Sequence, residues 1–287
     1  MRFKLGGVEF TGDTRDTPLM VRAFEPGGAD VRSQDSDRAG RDGVFPGADY
    51  LGGRLWAWEL SARGTDLSDV LAANASLEKA WRTTTRLQPG VNVPLSYELD
   101  GRWRRVYGRP GRYSGIIPDY LASTGVGHIV CDFRVTDPLH YDDDDSSVTL
   151  TVVPATTGGL MAPLAAPLST VRSSAPRAGV VSNTGDAPTP LKVKFKGPIS
   201  NPWVRSSEGM EIGLSGTLAY DETVTVDPLA GTVTRNGGAS AAGMLTRKTR
   251  LSATLLDPGT TELTFGGTDS TGTATATLYW RNAYNSI

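Results

Sequence analysis

Turn-forming residue pairs divide the second half of this chain into segments that are too short for ordinary helices. The pairs are Gly197-Pro198, Glu208-Gly209, Asp227-Pro228, Asn236-Gly237 and Asp257-Pro258. Glycine accepts positive φ angles, and proline has a fixed φ angle and no N–H group, so such pairs end regular structure. Strands are predicted between them at 148–153, 191–195, 210–214, 223–226, 231–235, 251–255, 261–265 and 273–279. This pattern predicts an antiparallel β-sandwich or barrel.

The composition is that of a folded, turn-rich chain with two domains. The chain has 287 residues, of which 34 are glycine, 18 are proline and 38% are hydrophobic. This apolar content excludes global disorder, and the length corresponds to roughly two domains. Residues 151–287 contain 22 threonines, which favour strands, and have a net charge of +2 against −4 for residues 1–150. We place the boundary after the acidic run 142–145, which gives domains 1–145 and 146–287.

One segment of the first half has the periodicity of an amphipathic helix. The helix is predicted to begin at Thr65 or Asp66, which are candidate N-cap residues, and to end at Trp81. Asp69 lies in the first turn, where the helix dipole stabilises a negative charge. The apolar positions of the predicted stripe are Leu67, Val70, Leu71, Leu77 and Trp81.

The rest of the first half is predicted to form strands. Residues 54–60 and 127–135 alternate between apolar and other positions, and the second of these segments places Cys131 on an apolar face. Residues 95–99 and 102–107 flank Asp100-Gly101, a pair that forms a tight type I′ hairpin turn because both residues accept positive φ angles. The prediction is therefore a mainly β chain, with one helix among strands followed by an all-β domain.

The chain has few groups that could carry out catalysis or hold a metal. Cys131, His128 and His140 are its only cysteine and histidines, which is too few for a cysteine–histidine zinc site. His128 and Cys131 would point to opposite faces of a strand. The acidic run 142–145 could ligate calcium, but it lacks the alternating spacing of a calcium loop, and a solvated linker is the alternative interpretation. We predict no enzymatic activity, no cofactor and no metal.

The hairpin at 93–110 combines arginine with aromatic residues. Such residues are enriched in protein–protein interfaces, so we predict a subunit or partner contact at Arg102, Trp103, Arg104, Arg105 and Tyr107. Two alternatives remain open at this point: an ordinary solvated hairpin, and a surface that binds single-stranded nucleic acid. The near-neutral net charge argues against nucleic acid as the main partner.

Two tryptophans lie in the second half. Trp280 ends an alternating strand, so we expect it to be buried. Trp203 follows Asn201-Pro202 and is a candidate for stacking on a sugar ring. No apolar run is long enough to span a membrane, and no signal-peptide pattern is expected at the N-terminus.

Five stretches in order resemble the distal tail protein (Dit) family of long-tailed phages, the minor tail proteins of siphoviruses. The stretches are RLWAWELSARGTDLSDVLAANASLEKAWR (54–82), VPLSYELDGRWRRVYGRP (93–110), FRVTDPLHY (133–141), VSNTGDAPTPLKVKFKGPISNPWV (181–204) and TLYWRNAYNSI (277–287). The segment 154–178, which we expect to be a long loop, does not match the family pattern.

This resemblance implies a structural protein of the virion. It implies an N-terminal β-barrel domain with one helix that assembles into a hexameric ring between the tail tube protein and the tail-tip hub protein. It also implies a C-terminal sandwich like those of galectins or carbohydrate-binding modules, which holds other baseplate or receptor-binding proteins. The expected location is the phage tail tip, with assembly in the host cytoplasm. The alternative function is a carbohydrate-binding adhesin that contacts the host surface.

Overall fold

The computed structural model describes residues 1–12, 17–83, 90–116, 126–154, 174–175, 177–269 and 271–286. Of the described residues, 56% lie in strands and 10% in helices, so the predicted mainly β fold class is confirmed. The chain divides into two compact units. The N-terminal unit comprises Met1–Asp143 together with the C-terminal residues from Asn285, and the C-terminal unit comprises Asp144–Tyr284.

The N-terminal unit contains twelve strands and one helix among its described residues. In chain order these are β1 (Arg2–Leu5), β2 (Val8–Thr11), β3 (Leu19–Pro26), β4 (Val31–Ser33), β5 (Ser36–Asp37), β6 (Val44–Phe45), β7 (Asp49–Leu51), β8 (Arg54–Arg63), α1 (Leu67–Thr83), β9 (Val93–Leu99), β10 (Arg102–Ile116), β11 (Val126–Val135) and β12 (His140–Asp142).

Seven of these strands form a closed barrel. Their order is β11-β8-β3-β2-β1-β9-β10, and the pairing of β10 with β11 closes the ring of strands. All neighbours are antiparallel except β2 and β3, which make a short parallel contact at Thr11 and Met20. Strands β8 and β11 pair over their full lengths, which places Trp58 opposite Cys131. The barrel thus buries the apolar faces that the alternation of 54–60 and 127–135 predicts.

Aromatic side chains fill the barrel. Trp58 is buried at the centre of this group and has Phe3, Phe10, Phe24, Trp56 and Trp81 as ring neighbours, with centroids 5.3–6.0 Å away. Most of these pairs are edge-to-face, the arrangement that the ring quadrupoles favour. The barrel core is therefore built on one contiguous aromatic cluster.

The predicted helix is present, and its N-terminal capping follows the predicted pattern. The Asp66 carboxylate accepts the N–H of Asp69 at 2.9 Å, and the Asp69 carboxylate accepts the N–H of Thr65 at 2.9 Å. The hydrogen bonds from Thr65 lower the pKa of Asp69. At the other end, the indole N–H of Trp81 donates to the backbone oxygen of Asp132 at 3.1 Å. The first two bonds cap the helix start, and the Trp81 bond ties the C-terminal end of the helix to β11 of the barrel.

The predicted apolar stripe of the helix is wrong at two positions. Val70, Leu77 and Trp81 are buried against the barrel, as are Ala73 and Ala80. Leu67 and Leu71, in contrast, are exposed. The barrel covers only one arc of the helix, and these two leucines lie outside that arc.

Strands β4 to β7 form an extension of the β3–β8 hairpin that lies outside the barrel. We call residues 27–52 the arm. β4 pairs with β7, and β5 pairs with β6. The Asp35 carboxylate accepts the N–H of Gly47 at 2.9 Å, and the Gln34 N–H donates to the oxygen of Ala48 at 3.2 Å. These two bonds connect the paired segments into one continuous two-stranded ribbon.

The C-terminal unit is a sandwich of two antiparallel sheets. Its strands are β13 (Ser146–Thr151), β14 (Val153–Pro154), β15 (Ser174–Ala175), β16 (Arg177–Asn183), β17 (Thr189–Pro190), β18 (Lys192–Lys196), β19 (Ile199–Ser206), β20 (Glu211–Gly213), β21 (Thr217–Leu218), β22 (Thr223–Asp227), β23 (Thr232–Arg235), β24 (Ala239–Ser240), β25 (Leu255–Leu256), β26 (Gly259–Thr268), β27 (Thr275–Trp280) and β28 (Ala283–Tyr284). One sheet has the order β13-β27-β18-β22-β23-β24, and the other is β16-β26-β19-β20 with β21 beside β19. A single apolar core lies between them.

Two details of the C-terminal unit differ from the predicted strands. Residues 251–255 are not one strand: Leu251–Ala253 form a 3₁₀ turn, and the Thr254 hydroxyl donates back to the oxygen of Arg250 at 2.9 Å. Strand β19 was not predicted because it contains Pro202. A bulge between Ser200 and Trp203 accommodates this proline, since it releases one residue from the ladder.

Three further predictions concern Trp280, the loop at 154–178 and membrane spanning. Trp280 is buried, as predicted, and its indole N–H donates to the oxygen of Ser182 at 2.9 Å. Most of the predicted loop at 154–178 lies outside the described residues, and its described ends, β14 and β15, pair with each other. No helix within the described ranges is long and apolar enough to cross a membrane.

Candidate subunit interface

The single cysteine and the two histidines do not form a reactive site. Cys131 is buried in β11, and burial raises the pKa of its thiol. His140 is fully buried. Among the described residues, no group of three or more histidine, cysteine or carboxylate side chains is arranged to hold a metal ion.

His140 is held in a buried polar network. Its Nε2 atom is in contact with the guanidinium of Arg54, and its Nδ1 atom lies 2.6 Å from the hydroxyl of Tyr97. A guanidinium only donates hydrogen bonds, so Nε2 accepts and Nδ1 carries the proton of the neutral ring. Burial, followed by the charges of Arg54 and Arg104, lowers the pKa of His140 to about 3. The imidazole is thus a neutral connector between β8, β9 and β12.

The hairpin that carries the predicted interface residues has the predicted turn. Asp100 and Gly101 have φ angles of 53° and 71°, as a type I′ turn requires. Arg102, at the start of β10, is exposed, and Trp103 is half-buried. The hairpin lies within the barrel wall, because β9 also pairs with β1 and β10 also pairs with β11.

The other three predicted residues contact groups of their own unit. The Arg105 Nε donates to a carboxylate oxygen of Asp143 at 2.8 Å, and a terminal nitrogen donates to the Asp143 backbone oxygen at 2.7 Å. Arg104 donates to the oxygen of Ser286 at 3.1 Å. The Tyr107 ring packs edge-to-face on Tyr141 with centroids 5.4 Å apart. Arg102 and Trp103 remain the more accessible part of the set, and its role in a subunit contact stays a prediction.

The acidic run 142–145 is partly used by neighbouring cations and hydroxyls. Besides Arg105, the Asp143 carboxylate accepts a hydrogen bond from the Ser96 hydroxyl at 2.7 Å. Asp145 forms an ion pair with Arg281 at 2.6 Å. Two of the four carboxylates therefore bind side chains of their own units, an arrangement that fits the linker interpretation.

The arm is the prominent surface that the sequence analysis missed. Every residue from 30 to 51 is exposed, including five large apolar side chains: Val31, Val44, Phe45, Tyr50 and Leu51. Strand prediction overlooked the arm because its apolar residues are isolated among charged residues and glycines. Asp42-Gly43, directly before Val44, is a local signal of a hairpin turn.

Trp203 lies flat on the outer face of its sheet. It is opposite Gly266 and Gly213 on the two neighbouring strands, and a Cβ atom at Gly266 would overlap with its ring. The guanidinium of Arg205 stacks on the ring 4.1 Å from its centroid and is held by Glu211 at 2.9 Å. A sugar could stack on the covered ring face only if Arg205 moved away, so this geometry does not support the sugar-stacking prediction.

Comparisons with known proteins agree with this architecture. Residues 184–284 match the family model of the siphovirus-type tail component, C-terminal domain. The fold aligns with Dit of phage SPP1, described as a paradigm of the hub adsorption apparatus in phages that infect Gram-positive bacteria, with a TM-score of 0.59 and 14% identity over 97% of both chains. The predicted resemblance to the Dit family is confirmed.

Two further structures, both of the activated baseplate of phage P2, have the same Dit-like fold. The calcium form aligns with a TM-score of 0.60 and 8% identity over 100% of this chain and 99% of the other. The strontium form gives 0.59 and 9% with the same coverage. A search of curated protein sequences gives no match. Together, the family model and the fold support a structural tail protein.

In this Dit-like chain, we expect Trp203 to stabilise its sheet. Trp203→Ala removes a ring that covers the backbone of Gly266, and we expect a local loss of about 2–4 kcal/mol, because large-to-small aromatic changes cost this much where the ring is packed. Amide hydrogen exchange in β19 and β26 of the full chain measures the loss. Tyr220→Ala, at a residue 73% exposed, is the control and should change exchange little. Unchanged protection in β19 would contradict this role.

Proposed function

We propose that the chain is the distal tail protein of a siphovirus and forms a closed ring of its own copies at the tail tip. The full-length likeness to Dit carries this proposal, because it covers both units of the chain and 97% of each aligned protein. In the proposal, residues 1–145 form the ring, which the resemblance implies to have six copies. The ring joins the tail tube protein to the tail-tip hub protein.

The C-terminal domain, residues 146–287, faces outward in this proposal and holds other baseplate or receptor-binding proteins. The virion tail tip is the proposed location, and assembly takes place in the host cytoplasm. The buried Cys131 and His140, together with the lack of a metal-binding cluster among the described residues, agree with a function that depends on shape and contacts. We propose no enzymatic activity, no cofactor, no membrane insertion and no sequence-specific binding of nucleic acid.

A ring requires two different surfaces on each copy, since every copy contacts a neighbour on each side through unlike patches. The arm provides one such surface, because Val31, Phe45 and Leu51 are apolar and exposed. Apolar side chains that are exposed on a two-stranded ribbon are suited to burial against a partner. The hairpin residues Arg102 and Trp103 are further candidates for this contact.

The carbohydrate-binding adhesin, the alternative function, has weaker support. Its best candidate residue, Trp203, carries the Arg205 guanidinium on its ring. Binding of the full chain to a glycan array, abolished by Trp203→Ala, would favour this alternative.

Two measurements test the proposed ring. Light scattering of the purified full chain over a range of concentrations gives its mass, and cryo-electron microscopy of intact particles locates it. We expect a closed oligomer in solution and ring density between the tail tube and the hub. A chain that stays monomeric at all concentrations and is absent from the tail tip would refute the proposal.

A further inference from the structure

We propose that the outer face of the smaller sheet of the C-terminal unit binds a carboxylate-rich segment of another protein of the tail. This inference rests on the proposed function, in which the C-terminal domain holds other proteins, and it names the surface and the chemistry of the partner. Strands β16, β26, β19 and β20 form this sheet, and its outer face carries Trp203 and Arg205. We call residues 246–250, which lie beside β20, the basic turn.

Arg205 is held in one orientation by its own unit. Its Cζ atom lies 4.1 Å from the centroid of the Trp203 ring, and its Nε donates to the Glu211 carboxylate at 2.9 Å. The Arg205 side chain is still 45% exposed, and no described residue accepts a hydrogen bond from its two terminal nitrogens. A guanidinium fork matches the two oxygens of a carboxylate, and prior orientation lowers the entropy that binding costs. Arg205 is therefore suited to receive an anionic group.

The basic turn places further positive charge beside Arg205. The Thr246 N–H donates to the Gly213 oxygen at 3.0 Å, and the Gly213 N–H donates to the Thr249 hydroxyl at 2.9 Å, so the turn is clamped to β20. Because Gly213 is opposite Trp203, the turn lies about two strand spacings, roughly 10 Å, from β19. The turn has three exposed cations, and none of them forms a salt bridge with a described residue: Arg247, Lys248 and Arg250. Uncompensated cations at this distance attract a negatively charged partner.

The other side of the face is apolar. Val180 on β16 is 64% exposed. Ala178 is also exposed and lies in the same cross-strand row as Arg205. Glu262, a second carboxylate on this face, is opposite Val180 and on the far side of β19 from the basic turn. Arginine and tryptophan are enriched in protein interfaces, and exposed aliphatic groups gain from burial against apolar groups. A phosphate polymer has no apolar groups to cover them, so a protein segment is the occupant that fits.

The dimensions of the face suit one segment of a partner. Adjacent strands are about 4.8 Å apart, so four strands span roughly 20 Å, and the eight residues of β19 extend about 26 Å. The resulting area of about 500 Å² is smaller than the roughly 800 Å² that each partner contributes to a standard interface. We therefore assign the face to a single acidic loop or strand of the partner.

Binding of a defined peptide to the full chain tests this assignment. The probe is a fluorescent peptide of alternating glutamate and valine, and fluorescence anisotropy at low salt measures its affinity. Arg205→Lys keeps the positive charge but loses the fork and the planar contact with the indole. Lys248→Gln removes one charge of the basic turn. Lys194→Gln is its matched control, because Lys194 is an exposed cation on the other sheet of the same unit and forms no salt bridge with a described residue.

We expect Arg205→Lys to weaken peptide binding about tenfold and Lys248→Gln about threefold, because the first loses a charge-assisted pair of hydrogen bonds and the second a screened attraction. Lys194→Gln should change the affinity by less than about twofold, and a peptide with glutamine in place of glutamate should not bind. Absence of binding, an unchanged affinity in Arg205→Lys, or equal losses in Lys248→Gln and Lys194→Gln would overturn the inference.

Two further measurements separate this inference from its alternatives. Inorganic polyphosphate that binds more tightly than the peptide, with the same dependence on Arg205, would assign the face to a phosphate polymer and overturn the protein partner. Light scattering of the same samples reports the ring independently. Rings that do not bind the peptide would overturn this inference and leave the ring proposal intact, whereas a chain that binds the peptide but never forms a ring would contradict the proposed function and leave this surface in place.

Discussion

Replacing Trp58 with alanine is expected to unfold the N-terminal unit. The Trp58 ring is buried and contacts five other aromatic rings, so its removal leaves a cavity at the centre of the cluster. Substitutions of this type cost about 3–5 kcal/mol, which is comparable with the stability of a whole domain. Urea unfolding followed by near-ultraviolet circular dichroism measures the loss, and hydrogen exchange assigns it to β8 and β11.

Two variants, Leu55→Ala and Trp58→Phe, separate the loss of ring packing from the effect of any substitution on β8 and from the loss of the indole N–H. Leu55 lies on the same strand with its side chain 49% exposed, so Leu55→Ala should change stability by only about 0.5 kcal/mol. The Trp58 indole nitrogen is buried without a hydrogen-bond partner. Trp58→Phe therefore loses no hydrogen bond and should cost about 1.5 kcal/mol or less. A Trp58→Ala variant as stable as Leu55→Ala would show that the aromatic cluster does not hold the barrel together.

Acid is expected to destabilise the N-terminal unit through His140. The pKa of His140 is lowered to about 3 in the folded protein, from an ordinary value near 6.5. The unfolded chain therefore binds one more proton between these pH values, and the free energy of unfolding falls as the pH decreases through this window. From pH 7.5 to pH 5 the loss attributable to His140 is up to about 2 kcal/mol.

Other titrating groups act in different ways. Burial raises the pKa of Asp137, so this carboxyl takes up a proton more readily in the folded state and offsets part of the loss as the pH falls. The lowered pKa values of Asp69 and Asp269 come chiefly from hydrogen bonds to their carboxylates, although burial opposes this for both. The stability that these two contribute is lost only below the ordinary range of a carboxyl group, near pH 4. Between pH 7 and pH 5 the loss of stability is therefore attributed to His140, and Asp137 acts against it.

Urea unfolding at pH 7 and pH 5 tests this expectation, with His140→Gln as the comparison. The variant keeps a polar group but cannot take up a proton, so its stability should change less between the two pH values even if it is lower at pH 7. A variant with the same pH dependence as the natural chain would assign the acid effect to another group.

Local features of the sequence predicted much of the barrel wall and the sandwich. The alternation in 127–135 correctly placed Ile129, Cys131 and Phe133 on one buried face, because a strand with one covered side has a strict period of two. The Asp100-Gly101 turn was predicted correctly because few residue pairs accept two positive φ angles. The N-cap at Asp66 depends on bonds within one helical turn. In each case the determining interactions lie within a few residues along the chain.

The interaction surfaces were predicted less well. The interface prediction rested on the residue types in 102–107, but residue type does not show that Arg105 is paired with Asp143, which is distant in sequence. The arm has weak strand signals and was missed. The arm is a candidate contact surface because Phe45 and Leu51 are exposed. Their exposure depends on where the barrel ends.

By itself, the sequence determined the β class, the single helix with its capped start, the hairpin turn and the family resemblance, since these depend on local backbone preferences and short-range order. Only the tertiary structure decided which arc of the helix is covered, that the arm lies outside the barrel and that His140 is buried beside Arg54. Helical periodicity shows that Leu67, Val70 and Leu71 lie near one another on the helix surface. Which of them meets the core is set by the placement of seven strands from distant parts of the chain.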